Sequence, residues 1–176
     1  MALLVGGCRT LDPLDAGLDA DFRLRGKIGV RGLDDGDGAF SASFDWVQAG
    51  DAYRIELWGP FGQGRVRLVG DAWGVTITDA RGRSVSEQTP EVLMERELGW
   101  SAPVDALRHW VRGSPAPGHA VTGSEREEGG RLARFEQRGW VVEFTRWRDH
   151  GVGELPGRIV ATQPGRRVTV VSKEWL

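Results

Sequence analysis

Most of the features that assign a chemistry to a protein are missing from this sequence. Its one cysteine, Cys8, excludes an internal disulfide and a cysteine-rich zinc site. No two of the histidines, His109, His119 and His150, have the spacing of a metal-ligand pair. No segment approaches the ~20 consecutive apolar residues that a membrane-spanning helix needs. The sequence therefore predicts neither a metal site nor a membrane-spanning helix.

Motifs of catalysis and of nucleic-acid binding are missing as well. The chain contains no G-x-S-x-G nucleophile elbow, no P-loop and no dinucleotide-binding fingerprint. Its formal net charge is −2, and no block of basic residues indicates a nucleic-acid partner. We therefore expect neither catalytic residues nor a cofactor, and a hydrolase would have no nucleophile–base pair to support it.

What the sequence does have is a regular alternation of apolar and polar residues, which is typical of strands with one buried face. Short Gly- and Asp-rich turns separate the alternating segments, so an antiparallel meander is expected. The residues predicted to share the buried face are Leu24, Gly26, Ile28, Val30, Phe40, Ala42, Phe44, Trp46, Tyr53, Ile55, Leu57, Val66, Leu68, Trp73, Val75 and Ile77.

The period changes in the middle of the chain, where two short helices are predicted. Thr89 as N-cap and Pro90 at the first helical position form a helix start, and a second amphipathic segment follows Pro103. Residues 114–130 are predicted to form a polar loop. Alternation then resumes in four segments, at residues 131–137, 140–146, 158–162 and 167–175.

This order of elements indicates an α+β protein that is mainly antiparallel β, with its helices segregated from the sheet. Such a sheet with a helical cover can enclose an apolar cavity, as small barrels do. The alternative that the same residues allow is a solid core. Eight tryptophans in one small domain add to the apolar surface that either arrangement needs.

The N-terminus has the pattern of a bacterial lipoprotein signal. The segment ALLVGGC combines a short apolar run, two glycines and then Cys8, the residue that is lipidated in such proteins. It lacks a basic region, and its apolar run is shorter than the usual ~7–15 residues, so we expect the true start to lie upstream. The alternative is an ordinary N-terminus with an incidental thiol. The expected organisation is a signal remnant at 1–8, a tether at 9–21 and a single domain at 22–176.

An apolar side chain stands at the tip of one predicted hairpin. Phe61 follows Pro60 in the turn GPFGQG, although tight turns favour Gly, Pro, Asn, Asp and Ser. Pro60 stiffens this loop, and Gly59 and Gly62 allow a sharp turn, so the Phe61 side chain can be held outward. An exposed Phe61 would contact a membrane or a substrate, and the alternative is that it folds back onto Trp58.

Several short segments of the chain carry a family resemblance. They are VGGC, LRGKIGV, ASFDW, YRIELWGPFGQG, LGWSAPVDALRHWVRGSP, GRLARFEQRGWVVEF, LPGRIV and RVTVVSKEW. In this order they resemble the family of the outer-membrane lipoprotein receptor LolB, over roughly residues 22–176. Two features depart from the family pattern: the signal is truncated, and the helical lead-in before the first strand is short.

The resemblance implies an incomplete, half-open antiparallel β-barrel with a lid of short helices over a hydrophobic cavity. It also implies a lipid-anchored receptor, attached through Cys8 to the periplasmic face of the bacterial outer membrane. Such a receptor accepts acylated lipoproteins from a soluble LolA-like periplasmic carrier and inserts them into that membrane. Arg9 follows Cys8 at the position where Asp is the commonest inner-membrane retention signal, which fits the outer membrane. A monomer is expected.

Two groups of site residues follow from this interpretation. The loop expected to contact the membrane or the substrate is Gly59, Pro60, Phe61 and Gly62. The residues expected to line the acyl cavity are Ile28, Phe44, Trp46, Ile55, Leu57, Leu68, Leu107, Trp110, Trp140 and Phe144. Two other functions remain open: a lipocalin-like binder of another small apolar ligand, and a structural outer-membrane lipoprotein.

Overall fold

Strands dominate the fold. The structure, a computed structural model, describes residues 20–33 and 39–176, and within them the chain forms thirteen strands and two α-helices. The first strands are β1 (Phe22–Gly32), β2 (Ala39–Ala49), β3 (Ala52–Trp58), β4 (Val66–Gly70), β5 (Val75–Thr78) and β6 (Ser84–Glu87). The helices are α1 (Pro90–Leu98) and α2 (Val104–Trp110). The later strands are β7 (Thr122–Arg126), β8 (Leu132–Gln137), β9 (Trp140–Thr145), β10 (Arg148–Asp149), β11 (Glu154–Leu155), β12 (Arg158–Gln163) and β13 (Arg166–Trp175).

Eleven of the strands in the described residues form one antiparallel sheet. Its order is β6-β5-β4-β3-β2-β1-β13-β12-β9-β8-β7, and β10 pairs with β11 apart from it. The meander predicted for the first strands is confirmed, and the last strand returns beside the first, with Val170 opposite Ile28. Because β6 and β7 are both edges in the described part of the chain, the sheet is not a closed barrel.

The alternation in the sequence places one face of the sheet inside. In β1 the side chains of Leu24, Ile28 and Val30 are buried, and those of Arg25, Lys27 and Arg31 point outward. Gly26 is also on the inner face, where a β-carbon would come within 2.2 Å of the Val171 carbonyl oxygen. The register of β1 against β13 shifts between residues 25 and 26, and only glycine fits at this irregularity.

The two predicted helices are confirmed. Helix α1 begins at Pro90 and ends at Leu98, and it is capped by Gly99, whose φ of 74° is left-handed and whose N–H donates to the Glu95 carbonyl at 3.0 Å. Thr89 precedes α1 in an extended conformation, as expected of an N-cap, but its side chain makes no capping hydrogen bond. Neither helix has the length and apolar character that crossing a membrane requires.

The prediction that Trp73 shares the buried face of Val75 and Ile77 is wrong. Its side chain is 86% exposed, and β5 begins only at Val75. The Asp71 carboxylate accepts hydrogen bonds from the backbone N–H groups of Trp73 and Gly74, at 2.8 and 3.2 Å. These bonds close a turn, so Trp73 belongs to the connection rather than to the strand.

The segment 114–130, predicted as a polar loop, contains the edge strand β7. All of its residues are exposed, and its register against β8 shifts twice. A strand that buries neither face has no reason to alternate in hydrophobicity, so the sequence pattern could not show it.

Candidate functional site

Half of the inner face of the sheet and the two helices enclose an apolar cavity of about 40 Å³. Its wall comes from β1 to β4, β13, α1, α2 and the connection between the helices. The lining residues are Ile28, Phe44, Trp46, Ile55, Leu57, Leu68, Met94, Trp100, Ala102, Val104, Leu107 and Val170.

The helical side of the cavity is held in place by the short connection after Gly99. Trp100 stacks on Phe40 with their ring centroids 4.9 Å apart, and Ala102 is buried beside it. Helix α2 then begins with Val104 facing inward, and Leu107, one turn later, shares that face. The apolar positions of both helices therefore point at the sheet, which makes them its cover.

Seven of the ten residues proposed from the sequence for the cavity meet around it. They are Ile28, Phe44, Trp46, Ile55, Leu57, Leu68 and Leu107. Their positions agree with the prediction that these side chains face inward, and their contact with an acyl chain stays a prediction.

The other three candidates lie outside the cavity wall, in another part of the same hydrophobic core. Trp110, Trp140 and Phe144 pack with Phe135 and Trp147 in what we call the aromatic cluster. The ring centroids of neighbours in this cluster are 5.7 to 6.3 Å apart. Most of these ring pairs meet edge to face, as is typical of dense aromatic packing.

Sequence reasoning missed five residues of the wall: Met94, Trp100, Ala102, Val104 and Val170. Val170 was within reach, because it lies in a predicted strand and alternates with its buried neighbour Val168. Trp100 and Ala102 lie in an irregular connection, where no periodicity indicates which side chains turn inward.

One buried polar group beside the cavity is satisfied locally. The Trp46 indole N–H donates to the Gln48 side-chain carbonyl at 2.9 Å, and the Gln48 amide donates to the Gly50 carbonyl at 2.8 Å. Because the polar edge of Trp46 is bonded to Gln48, its ring can present an apolar surface to the cavity.

Charged groups gather in a cleft of about 330 Å³ that adjoins the cavity at Val104. Arg108 binds the Gly50 carbonyl and the Asp51 carboxylate at 2.8 and 2.7 Å, which fixes α2 to the β2–β3 turn. Burial raises the pKa of the Glu91 carboxyl in this cleft. The titratable groups thus stand beside the cavity and leave its wall apolar.

Phe61 is fully exposed, so it does not fold back onto Trp58. Its turn is closed by the Gly62 N–H, which donates to the Gly59 carbonyl at 3.2 Å, and the Gly59 N–H donates to the Gln63 carbonyl at 2.9 Å. Phe61 has φ 61° and ψ 19°, the left-handed conformation that costs an L-residue roughly 1–2 kcal/mol. A large apolar side chain held outward on strained backbone is a feature that folding alone does not favour.

Two further predictions fall partly or wholly outside what the structure describes. Cys8 and residues 9–19 of the tether lie outside the described residues.

Within the described ranges, His, Cys, Asp and Glu side chains form no group that could hold a metal ion.

The sequence matches a known protein family and several of its members. A family model described as outer membrane lipoprotein LolB matches residues 20–175. The protein named outer-membrane lipoprotein LolB of Chromohalobacter salexigens is 44% identical over 160 residues, which is 90% of this chain and 71% of that protein. The protein of the same name from Halorhodospira halophila is 37% identical over 186 residues, 99% of this chain and 90% of that protein.

A solved structure shows the same fold at much lower sequence identity. A LolA superfamily protein from Nitrosomonas europaea superposes with a TM-score of 0.51 at 8% identity, over 88% of this chain and 84% of that one. At this identity the match shows the fold alone.

Proposed function

Since this chain belongs to the family of the outer membrane lipoprotein LolB, we propose that it receives acylated lipoproteins from a LolA-like periplasmic carrier and inserts them into the outer membrane. The observation that carries this proposal is the apolar cavity between the sheet and the two helices. The cavity would hold the acyl chains during the transfer.

An apolar site is what this cargo needs. Burying an acyl chain is worth ~0.8 kcal/mol per methylene, so releasing roughly ten methylenes into water would cost about 8 kcal/mol. A lipoprotein with several chains therefore cannot cross an aqueous space free. It has to pass directly from one apolar cavity to the next, and no nucleotide is required at the last step if affinity rises along the way.

The cavity has to enlarge to do this. Its 40 Å³ is far below the ~300–1,000 Å³ of typical ligand sites, so the helices form a lid that moves away when acyl chains enter. Leu93 and Met94 pack α1 on the core, and its polar ties include surface ion pairs, such as Arg166 to Glu95 at 2.9 Å and Arg83 to Glu97 at 3.0 Å. Exposed pairs of this kind contribute only ~0–1 kcal/mol each, so lid opening breaks few strong polar contacts.

The loop of Gly59, Pro60, Phe61 and Gly62 is proposed to contact the membrane. An exposed Phe that inserts at the membrane surface gains on the order of 1–3 kcal/mol. That is enough to favour unloading at the bilayer and too little to hold the protein there. The outward, left-handed Phe61 supports this role.

Cys8 is proposed as the acylated residue that anchors the protein in the outer membrane. When the gene is expressed with a complete signal, the protein should incorporate labelled fatty acid, and Cys8→Ser should abolish the label. Labelling that persists in Cys8→Ser would exclude Cys8 as the anchor.

The transfer itself can be measured directly. A radiolabelled lipoprotein is loaded on the carrier, passed to this protein and then offered to phosphatidylcholine vesicles. We expect Phe61→Glu to accept the lipoprotein normally but to impair its incorporation into the vesicles. The matched control is Trp73→Glu, which makes the same change at another exposed aromatic side chain and should leave both steps intact.

The outcomes separate the competing functions. A protein that binds a fluorescent fatty acid but takes no lipoprotein from the carrier is a binder of small apolar ligands. A protein that does neither is a structural lipoprotein. Normal incorporation by Phe61→Glu would mean that the exposure of Phe61 is incidental.

A further inference from the structure

The outer face of the central strands carries a groove of about 360 Å³ that we call the arginine groove. It is lined by Arg31 of β1, Arg167 of β13 and Arg158 of β12. Lys27 lies on the same face of β1, two residues before Gly29 in the groove. Arg31, Arg167 and Lys27 are exposed, and Arg158 is half-buried. These four cations belong to three adjacent strands of the sheet.

The cations of the groove are not neutralised within the described residues. Arg31 lies directly opposite Arg167 in the β1–β13 ladder, which places their Cα atoms about 5 Å apart. No ion pair in the described part of the chain involves any of the four. By contrast, Arg23 and Arg25 on the same strand share the Asp45 carboxylate at 2.7 and 2.9 Å. Like charges that face each other across strands are destabilising, and an anion bound between them removes that cost.

The shape and the neutral groups of the groove suit an oxyanion. Gly29 forms part of the floor, and a β-carbon there would meet only the Phe40 carbonyl oxygen, at 3.9 Å. Ser41 and Thr169, which flank Gly29 on the neighbouring strands, supply hydroxyl groups. Guanidinium and hydroxyl donors around an open floor are the usual partners of phosphate oxygens.

The groove opens at the same end of the sheet as the Phe61 loop. Strands β1 and β3 run in the same direction, because each is antiparallel to β2 between them. Arg31 near the end of β1 and the loop that follows β3 therefore lie toward one end. Leu33, just beyond β1, is 45% exposed there and donates its N–H to the Gly165 carbonyl at 3.0 Å. Exposed apolar groups beside unpaired cations are the composition of membrane-surface sites.

We propose that the arginine groove binds the phosphate groups of anionic phospholipids at the membrane surface, so that the protein meets the bilayer with its Phe61 end. The proposal rests on the function proposed above and specifies the lipid that this end of the sheet recognises. The overall charge of −2 cannot account for such binding, because it repels an anionic surface. Any preference for anionic vesicles must come from a local cluster.

The test compares vesicles of phosphatidylcholine with vesicles in which a third of the lipid is phosphatidylglycerol. The full chain is used with Cys8→Ser, so that no lipid anchor masks the preference. We expect the anionic vesicles to be bound at least tenfold more tightly, with the difference disappearing at high salt. Each cation near the surface contributes roughly fivefold, so the double variant R31Q/R167Q should bind them on the order of 25-fold more weakly.

The matched control removes two charges at the opposite end of the sheet. Arg112 follows α2 and Arg148 follows β9, and both are exposed, so R112Q/R148Q should bind as the parent does. Melting temperatures confirm folding, and R31Q/R167Q should melt no lower than the parent because it loses a repulsion. Should R31Q/R167Q fail to fold, K27Q/R158Q makes the same test on the other two cations.

Three results would overturn the proposal. They are equal binding to both vesicle types, an equal loss in R31Q/R167Q and in R112Q/R148Q, and displacement from the vesicles by inorganic phosphate at constant ionic strength. The last result would identify a site for free phosphate instead. Lipoprotein transfer into phosphatidylcholine vesicles does not depend on this groove, so normal transfer without a lipid preference refutes only the groove. Absent transfer into either vesicle type refutes the function.

Discussion

One sheet covers a single hydrophobic core, and the two halves of that core, the cavity interior and the filled interior, are packed in different ways. Under β1 to β4, aliphatic and aromatic side chains leave an apolar cavity of about 40 Å³. Under β8 and β9, the rings of the aromatic cluster pack against one another and none of them lines that cavity, with Phe135 and Val142 fully buried. Both regions are built from apolar and aromatic residues. Hydrophobicity alone therefore does not determine which of them can bind an apolar ligand.

The two regions also differ in the number of buried polar contacts, which is larger in the filled interior. Each holds a buried glutamine that accepts from a tryptophan indole, Gln48 from Trp46 and Gln137 from Trp110. Gln48 makes one further bond, to the carbonyl of exposed Gly50. Gln137 also accepts from the Ala116 N–H and donates to the Ala116 and His119 carbonyls. The filled interior is thus pinned by a network that includes Trp110 of α2, whereas the polar contacts of α1 beside the cavity are surface ion pairs.

The largest effect on stability is expected in the aromatic cluster. Phe144→Ala should lower the free energy of unfolding by ~3–5 kcal/mol, because it opens a cavity among rings that cannot collapse into it. Denaturant unfolding measures the loss. Acyl-probe affinity of the folded fraction should be unchanged, and a weaker affinity would show that this half also takes the acyl chain, as the sequence predicted for Phe144.

A somewhat smaller loss in the free energy of unfolding is expected when the two buried glutamines are replaced, and the loss should be larger at Gln137 than at Gln48. Gln137→Leu leaves the Trp110 indole and the Ala116 backbone groups without this partner, and each buried orphaned group costs on the order of 1 kcal/mol. Gln48→Leu orphans the Trp46 indole, while the Gly50 carbonyl keeps its hydrogen bond from Arg108, so this variant should lose less stability. Equal losses in the two variants, measured by thermal and denaturant unfolding, would contradict the view that the filled half is the more rigid one.

The smallest effect on stability is expected where side-chain volume is added to the cavity. Leu107→Trp should weaken binding of a fluorescent acyl probe at least tenfold, because the larger ring occupies the space that the chain needs. Its cost in stability should fall below the ~1–3 kcal/mol typical of overpacking. Unchanged probe binding together with a large loss of stability would instead indicate a solid core around Leu107.

The sequence predicts which face of a strand is buried far better than it predicts what lies against that face. Ile28, Ile55 and Leu57 could be assigned because alternation fixes their side of the sheet. Phe144 alternates in the same manner and lies in the filled half. The difference is made by Met94 and Trp100, which come from a helix and an irregular connection and set the volume facing each strand. That volume depends on packing between segments that are distant in the sequence, so local periodicity carries no information about it.

Phe61 shows the opposite case, in which one residue was informative because it broke a local rule. A large apolar residue in a glycine-rich turn indicates an exposed side chain. In the structure Phe61 is fully exposed, on backbone of left-handed conformation. The turn composition predicted a sharp bend at Gly59 to Gly62. It could not predict that Phe61 would take the left-handed conformation as well as Gly62, whose φ is 78°.

The two free edges of the sheet, β6 and β7, have a mechanical consequence. In a closed barrel, the number and stagger of the strands fix the radius, and any widening has to break backbone hydrogen bonds. Here the edge strands can splay apart while every ladder in the described sheet stays intact, because no pairing joins β6 to β7. The space between the sheet and the helices can therefore widen without the loss of a backbone hydrogen bond of the sheet, which is what the proposed acyl site requires of cargo with hydrocarbon tails of different number and length.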